Sequence, residues 1–153
     1  MSQPNSSAEI AALYQEMILD HYRRPRNKGT LEQADASVEM KNPLCGDEIG
    51  LQVEFDGNAL HDVRFSGRGC SISQASASMM TQLVKGKSRD EIDIIRNQFR
   101  DLMLGVTPPV AADESRLGSL RALSGVARFP ARVKCALLAW NALDAALSGN
   151  SPS

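Results

Sequence analysis

The chain has no excess of charge, no long apolar run and no even set of cysteines. Its 17 basic and 18 acidic residues leave a formal net charge of -1, which excludes a general attraction to nucleic acid or to an anionic membrane surface. No segment approaches the roughly 18 consecutive apolar residues of a membrane span, and MSQPNSSAE shows no basic stretch leading into an apolar one. A cytoplasmic protein is the expectation. Three cysteines cannot pair completely, so a disulfide framework is excluded, and in a reducing compartment each is a thiol needing another purpose. There is also no internal repeat, low-complexity tract or linker, and 153 residues suit one domain, with a core expected over about 8–148.

What is present reads as α+β. Ser6 and Glu9 have capping-box spacing, and Ile10, Leu13, Tyr14, Met17 and Ile18 follow on one helical face, predicting a helix to about Tyr22 that Pro25 stops. Between Ala36 and Arg68 the apolar period becomes two (Val38, Met40; Ile49, Leu51, Val53, Phe55; Leu60, Val63, Phe65). Three antiparallel strands are predicted, with Asp56-Gly57-Asn58 as a hairpin turn. A helix rich in small residues (Ser73, Ser76, Ala77, Ser78) follows Cys70 and suits close packing. Ser88 and Glu91 open another helix, bearing Ile92, Ile95, Phe99, Leu102 and Met103 inward. A looser stretch over 105–128 holds a short helical candidate around Leu117, Leu120 and Leu123. Pro130 starts a last helix with two apolar stripes. The expected architecture is a three-stranded antiparallel sheet packed against about four to five helices.

The cysteines lie where elements end. Cys45 falls in the first strand turn, NPLCGDEIG; Cys70 lies between the third strand and a helix, and Cys135 in the second turn of the last helix. Separations of 25 and 65 residues fit no zinc finger, but they fit a site assembled by tertiary folding. Helix starts favour thiolate at Cys70 and Cys135. Three thiolates suit a borderline-soft divalent cation, and Asp47 supplies a fourth ligand for zinc, with Arg68, Arg128 or Lys134 available to offset the negative charge. The other reading makes the cysteines separate small buried hydrophobes, plausible for Cys135 on its apolar helix and poor for Cys45 beside Gly46 and Asp47.

Four ordered stretches, YQEMILDHYRRPRNKG, NPLCGDEIGLQV, FSGRGCSISQASASMM and RFPARVKCALLAWNAL, resemble the U-type iron–sulfur cluster assembly proteins, IscU and NifU N-terminal domains included. Three departures point to the SufU branch of that family. Lys134 stands where IscU-like members have histidine, FPARV replaces the stretch their chaperone reads, and the connection from Cys70 to Cys135 is longer. The resemblance implies zinc held by Cys45, Asp47, Cys70 and Cys135. It also implies persulfide sulfur accepted from a SufS-type cysteine desulfurase, with Cys45, in the turn with Gly46, as acceptor, and hand-over to downstream Suf components. The rival expectation is a scaffold that builds an iron–sulfur cluster on the same ligands; a purely structural zinc is a third. Tyr22, Arg26 and Asn27 match the family's motif after the first helix and, with Arg24, are candidates for docking the desulfurase. The plainer alternative is a capped helix end, with His21 a satisfied core histidine.

Overall fold

The computed structural model describes residues 7–43, 46–106 and 114–148. Helix α1 (Ser7–Arg23) is followed by strands β1 (Ala36–Asn42), β2 (Asp47–Asp56) and β3 (Ala59–Arg68), then α2 (Ser71–Val84), α3 (Arg89–Met103), the short α4 (Glu114–Leu117), a 3₁₀ segment (Gly118–Arg128) and α5 (Pro130–Leu147). The strands form an antiparallel sheet in the order β1-β2-β3. The expected α+β class and three-stranded sheet are what the chain adopts. The capping box expected at Ser6 falls outside the described residues, whereas the one at Ser88 is formed, with both reciprocal bonds to Glu91.

One face of the sheet carries the core. Strict alternation along β2 buries Asp47, Ile49, Leu51 and Val53 while the residues between them stay partly exposed. Val38 from β1 and Leu60, Val63 and Phe65 from β3 share that buried set. Helices α2 and α5 cover it. The small residues of α2 allow the close approach expected of them: Ser76 Oγ donates to the Ala136 carbonyl of α5 at 2.6 Å, so a helix–helix contact that lacks bulk gains a hydrogen bond. Pro130 occupies the first turn of α5, where its missing N–H costs nothing. Trp140 of α5 packs on Phe99 of α3 with ring centroids 5.5 Å apart, and truncating such a side chain costs about 3–5 kcal/mol.

Two expectations need correction. The apolar face of α1 does not all turn inward: Tyr14, Met17 and Ile18 pack on the core, but Ile10 and Leu13 are exposed. Leu117, Leu120 and Leu123 are buried, but instead of one short helix they span the end of α4 and the start of a long run of 3₁₀ turns, a form usually confined to 3–4 residues.

Candidate metal and thiol site

Asp47 is a carboxylate in a hydrophobe's position. It opens β2 on the core face, in phase with Ile49 and Leu51, and is 0% exposed. A buried carboxylate needs partners, and the β3–α2 junction provides them. Cys70 caps α2, and its backbone N–H donates to Asp47 Oδ1 at 2.8 Å, while its sulfur lies 3.7 Å from Oδ2. One carboxylate oxygen is therefore occupied by the backbone and the other is turned toward sulfur.

Room for this arrangement comes from Gly69, which has a φ of +156°. A Cβ there would overlap Asp47 Oδ1 and stand 2.8 Å from Ser73 Oγ and 2.9 Å from Asp47 Cγ. Behind Cys70, Ser73 Oγ donates to the Cys70 carbonyl at 3.1 Å, tying the first turn of α2 to the residue that caps it.

Cys135 completes the cluster from α5. It is buried, and one ligand atom from each of Asp47, Cys70 and Cys135 lies within 4.8 Å of the others. A tetrahedral zinc site with sulfur and carboxylate ligands has ligand–ligand edges of roughly 3.5–3.8 Å. The Asp47–Cys70 edge already has that length, and the rest requires only about an ångström of closure. The donor set fits zinc.

The cation beside the sulfurs is Arg132, three residues before Cys135 on the same helix. The Cys70 sulfur's charge, a hydrogen bond to that sulfur, and then the Cys135 sulfur's charge push the guanidinium further above its ordinary value. The sequence pointed to Arg68, Arg128 or Lys134 instead; all three are exposed, with Arg68 ion-paired to Glu48 at 3.6 Å, Arg128 lining a groove next to the site and Lys134 on the surface of α5. Arg132's i, i+3 spacing puts it beside Cys135 on α5, but the sequence does not show that Cys70 joins them.

Cys45 lies outside the described residues, two positions before Asp47 in the chain. On either side the strands are fixed: Asn42 pairs with Asp47 across the hairpin, and Gly46, at φ +70°, donates its N–H to the Asn42 carbonyl at 2.9 Å. That left-handed conformation suits glycine.

The proposed docking residues separate into two pairs. Tyr22 and Arg24 are exposed, although Arg24 is ion-paired with Asp20 at 2.5 Å. Arg26 and Asn27 are drawn into the fold. Arg26 bonds Asp20 at 2.7 Å, and its backbone N–H donates to Ser78 Oγ at 2.8 Å. Asn27, at φ +60°, donates from Nδ2 to Thr81 Oγ1 at 3.3 Å and accepts from the Phe65 N–H at 3.0 Å. His21 is buried with Nδ1 2.8 Å from the same Ser78 hydroxyl. Desolvation, then the Arg26 charge, lowers its pKa to about 4, so it is neutral near pH 7. Asp20 is held down to about 2, chiefly by hydrogen bonds from Arg26 and Arg24.

Comparison with known proteins agrees with this geometry. Residues 13–148 match the family model for the NifU-like N-terminal domain. A Bacillus subtilis protein, zinc-dependent sulfurtransferase SufU, is 47% identical over 138 residues, covering 90% of this chain and 91% of its own. The iron–sulfur cluster assembly scaffold protein IscU of Streptococcus pyogenes is 44% identical over 140 residues, covering 92% and 86%. Among solved structures, an iron–sulfur cluster assembly scaffold protein for the SUF system from Fervidobacterium islandicum superposes with a TM-score of 0.80 at 38% identity, covering 93% of this chain and 99% of that one. A chain whose strand end, helix cap and last helix converge on one carboxylate and two thiols, and which matches these relatives over most of its length, belongs to the NifU-like N-terminal domain family.

Proposed function

We propose that this protein is a zinc-dependent sulfur-transfer protein of iron–sulfur cluster assembly, accepting persulfide sulfur from a SufS-type cysteine desulfurase on Cys45 and passing it to downstream Suf components. The observation that carries the reading is the convergence of Asp47, Cys70 and Cys135 within 4.8 Å, with one Asp47 oxygen already turned to sulfur. Together with Cys45 they form an S₃O donor set, which zinc accepts. Bound zinc would hold the sulfurs as thiolates near pH 7. The B. subtilis relative, with its zinc-dependent name, supports the choice of metal.

This chain's residues divide the work. Cys70 and Cys135 are fixed by the helices that carry them, and Arg132 offsets the negative charge that their sulfurs bring together. Cys45 lies in the chain between β1 and β2, next to Gly46. As a thiolate it attacks the outer sulfur of a protonated donor persulfide. A new S–S bond forms, the donor's S–S bond breaks, the donor cysteine leaves as thiolate, and the proton stays on the transferred sulfur. Two electrons move within the S–S exchange and no external oxidant is needed. Tyr22 and Arg24 remain accessible for docking, while Arg26 and Asn27 hold the α1–α2 joint.

The test is desulfurase turnover with and without this protein. Cys45→Ala is expected to fold, retain helical content and lose stimulation; full stimulation by that variant would end the proposal. The scaffold alternative is supported by the name of the S. pyogenes relative. It requires stoichiometric iron and sulfide in the purified protein and transfer of an intact cluster to an acceptor; zinc without sulfide excludes it.

A further inference from the structure

Helix α2 buries four hydroxyls completely, those of Ser73, Ser76, Ser78 and Thr81, and each is committed to a neighbour, as a buried hydroxyl must be. Ser73 Oγ donates to the Cys70 carbonyl. Ser78 and Thr81 meet the end of α1 and the residues after it: Ser78 Oγ accepts the Arg26 N–H and bonds His21, and Thr81 Oγ1 donates to the Arg26 carbonyl and accepts from Asn27. Of the four, Ser76 turns to α5, where its Oγ donates to the Ala136 carbonyl at 2.6 Å. Ala136 is itself fully buried and stands next to Cys135. That bond therefore ties the helix capped by Cys70 to the helix that carries Cys135, within one residue of the second thiol.

The distances involved give a directional tie its value. A metal site keeps its ligands within about 0.5 Å of the productive geometry, whereas one residue's rise along a helix is about 1.5 Å. A lengthwise slip of α5 by a third of a residue would use the whole tolerance. Burial around α5 is extensive, but apolar burial is non-directional, and small residues such as Ala136 and Ala139 raise only shallow ridges against a neighbouring helix. A hydrogen bond prefers a narrow range of distance and angle. We infer that Ser76 is a positioning residue for the thiol site, setting the place of Cys135 relative to Cys70 and Asp47 through its bond to the α5 backbone. Helix α2 is then the common frame: it holds Cys70 at its cap, Asp47 through the Cys70 N–H, and Cys135 through Ser76. This role presupposes that Asp47, Cys70 and Cys135 hold a metal, as proposed above, but not that sulfur is transferred.

Ser76→Ala keeps the Cβ and the helix and removes only the hydroxyl. It is expected to weaken zinc binding about tenfold in competition with a chromogenic chelator. It should also weaken and shift the d–d absorption of cobalt(II) bound in place of zinc, which reports how nearly tetrahedral the ligands stand. Ser78→Ala is the control, because it removes from the same helix a hydroxyl that takes part in two bonds, to His21 and to the Arg26 N–H. Its melting temperature is expected to fall at least as far as that of Ser76→Ala, with zinc affinity and the cobalt spectrum unchanged. Wild-type affinity and spectrum in Ser76→Ala overturn the inference. So does an equal loss of zinc binding in Ser78→Ala, which would make metal binding follow the general stability of α2. If Ser76→Ala binds metal like wild type while Cys45→Ala abolishes desulfurase stimulation, only the positioning role falls. If wild type takes up neither zinc nor cobalt, the metal reading falls and the positioning role with it; if Cys45→Ala stimulates fully, the sulfur-transfer reading falls while the metal measurements still decide the role of Ser76.

Discussion

The chain places arginines around a proline twice, Arg23, Arg24 and Arg26 around Pro25 and Arg128 and Arg132 around Pro130, and folding puts the two clusters to opposite uses. At the end of α1, Asp20 bonds both Arg24 and Arg26, while Ser78 and Thr81 of α2 take up His21, the Arg26 backbone and Asn27. Two of the three arginines there share one carboxylate and the backbone is pinned, making a joint. At the start of α5, Arg132 faces two sulfurs, and Arg128 just before it lines a groove beside them. Whether an arginine cluster is structural or functional is decided by the anion it meets: the Asp20 carboxylate of α1 in one case, the sulfurs of Cys70 and Cys135 in the other.

The largest expected difference between the two regions is in their response to acid. His21 has a folded pKa of about 4 against an ordinary 6.5, so the folded state binds fewer protons than the unfolded one between these values. Stability is full above pH 6.5 and falls as pH drops toward 4, by about 3 kcal/mol. Melting temperature of wild type against His21→Asn across that window checks this: the variant's profile is expected to be flatter, and parallel profiles would remove His21 from the joint.

Next in size is a change at the other region. Gly69→Ala is expected to displace the Asp47 carboxylate from the Cys70 N–H and to weaken zinc binding about 10–100-fold, measured by competition with a chromogenic chelator. The effect should vanish in an Asp47→Ala background. If it persists there, backbone strain at residue 69 rather than the carboxylate is responsible.

The smallest effects make the sharpest contrast. Arg132→Ala is expected to weaken zinc binding about tenfold by removing the cation beside the sulfurs. Arg24→Ala should leave zinc binding unchanged and alter stability by only about 0–1 kcal/mol, as for exposed ion pairs generally. Equal zinc affinities in the two variants would erase the distinction between the clusters.

Much of this was legible in the residues. Ser88 and Glu91 announced a capping box that is formed, and Pro130 announced the start of α5. The period of two through Ile49, Leu51 and Val53 extends back to Asp47, so an inward carboxylate followed from parity. Other features depend on tertiary context. Ser78 signalled only that α2 could pack closely, because a hydroxyl does not specify whether a histidine, a backbone N–H or solvent will meet it. Ile10 and Leu13 continue a helical stripe, but amphipathicity shows which face is apolar and not how far along the helix the core extends. Arg132 was missed because i, i+3 proximity to Cys135 acquires meaning only when α2 brings Cys70 alongside.

The burial of Asp47 has one more consequence. A carboxylate closed off from water beside two sulfurs, one buried and one half-buried, forms an electrostatic load at one end of β2, while the other core positions of that strand are hydrocarbon. In the absence of a cation, that load favours opening of the strand from Asp47 inward, ahead of the α3–α5 side of the molecule, where Phe99 and Trp140 stack. Amide exchange should therefore be graded along β2 in metal-free protein and uniform in metal-loaded protein, so that the backbone itself records whether the site is filled.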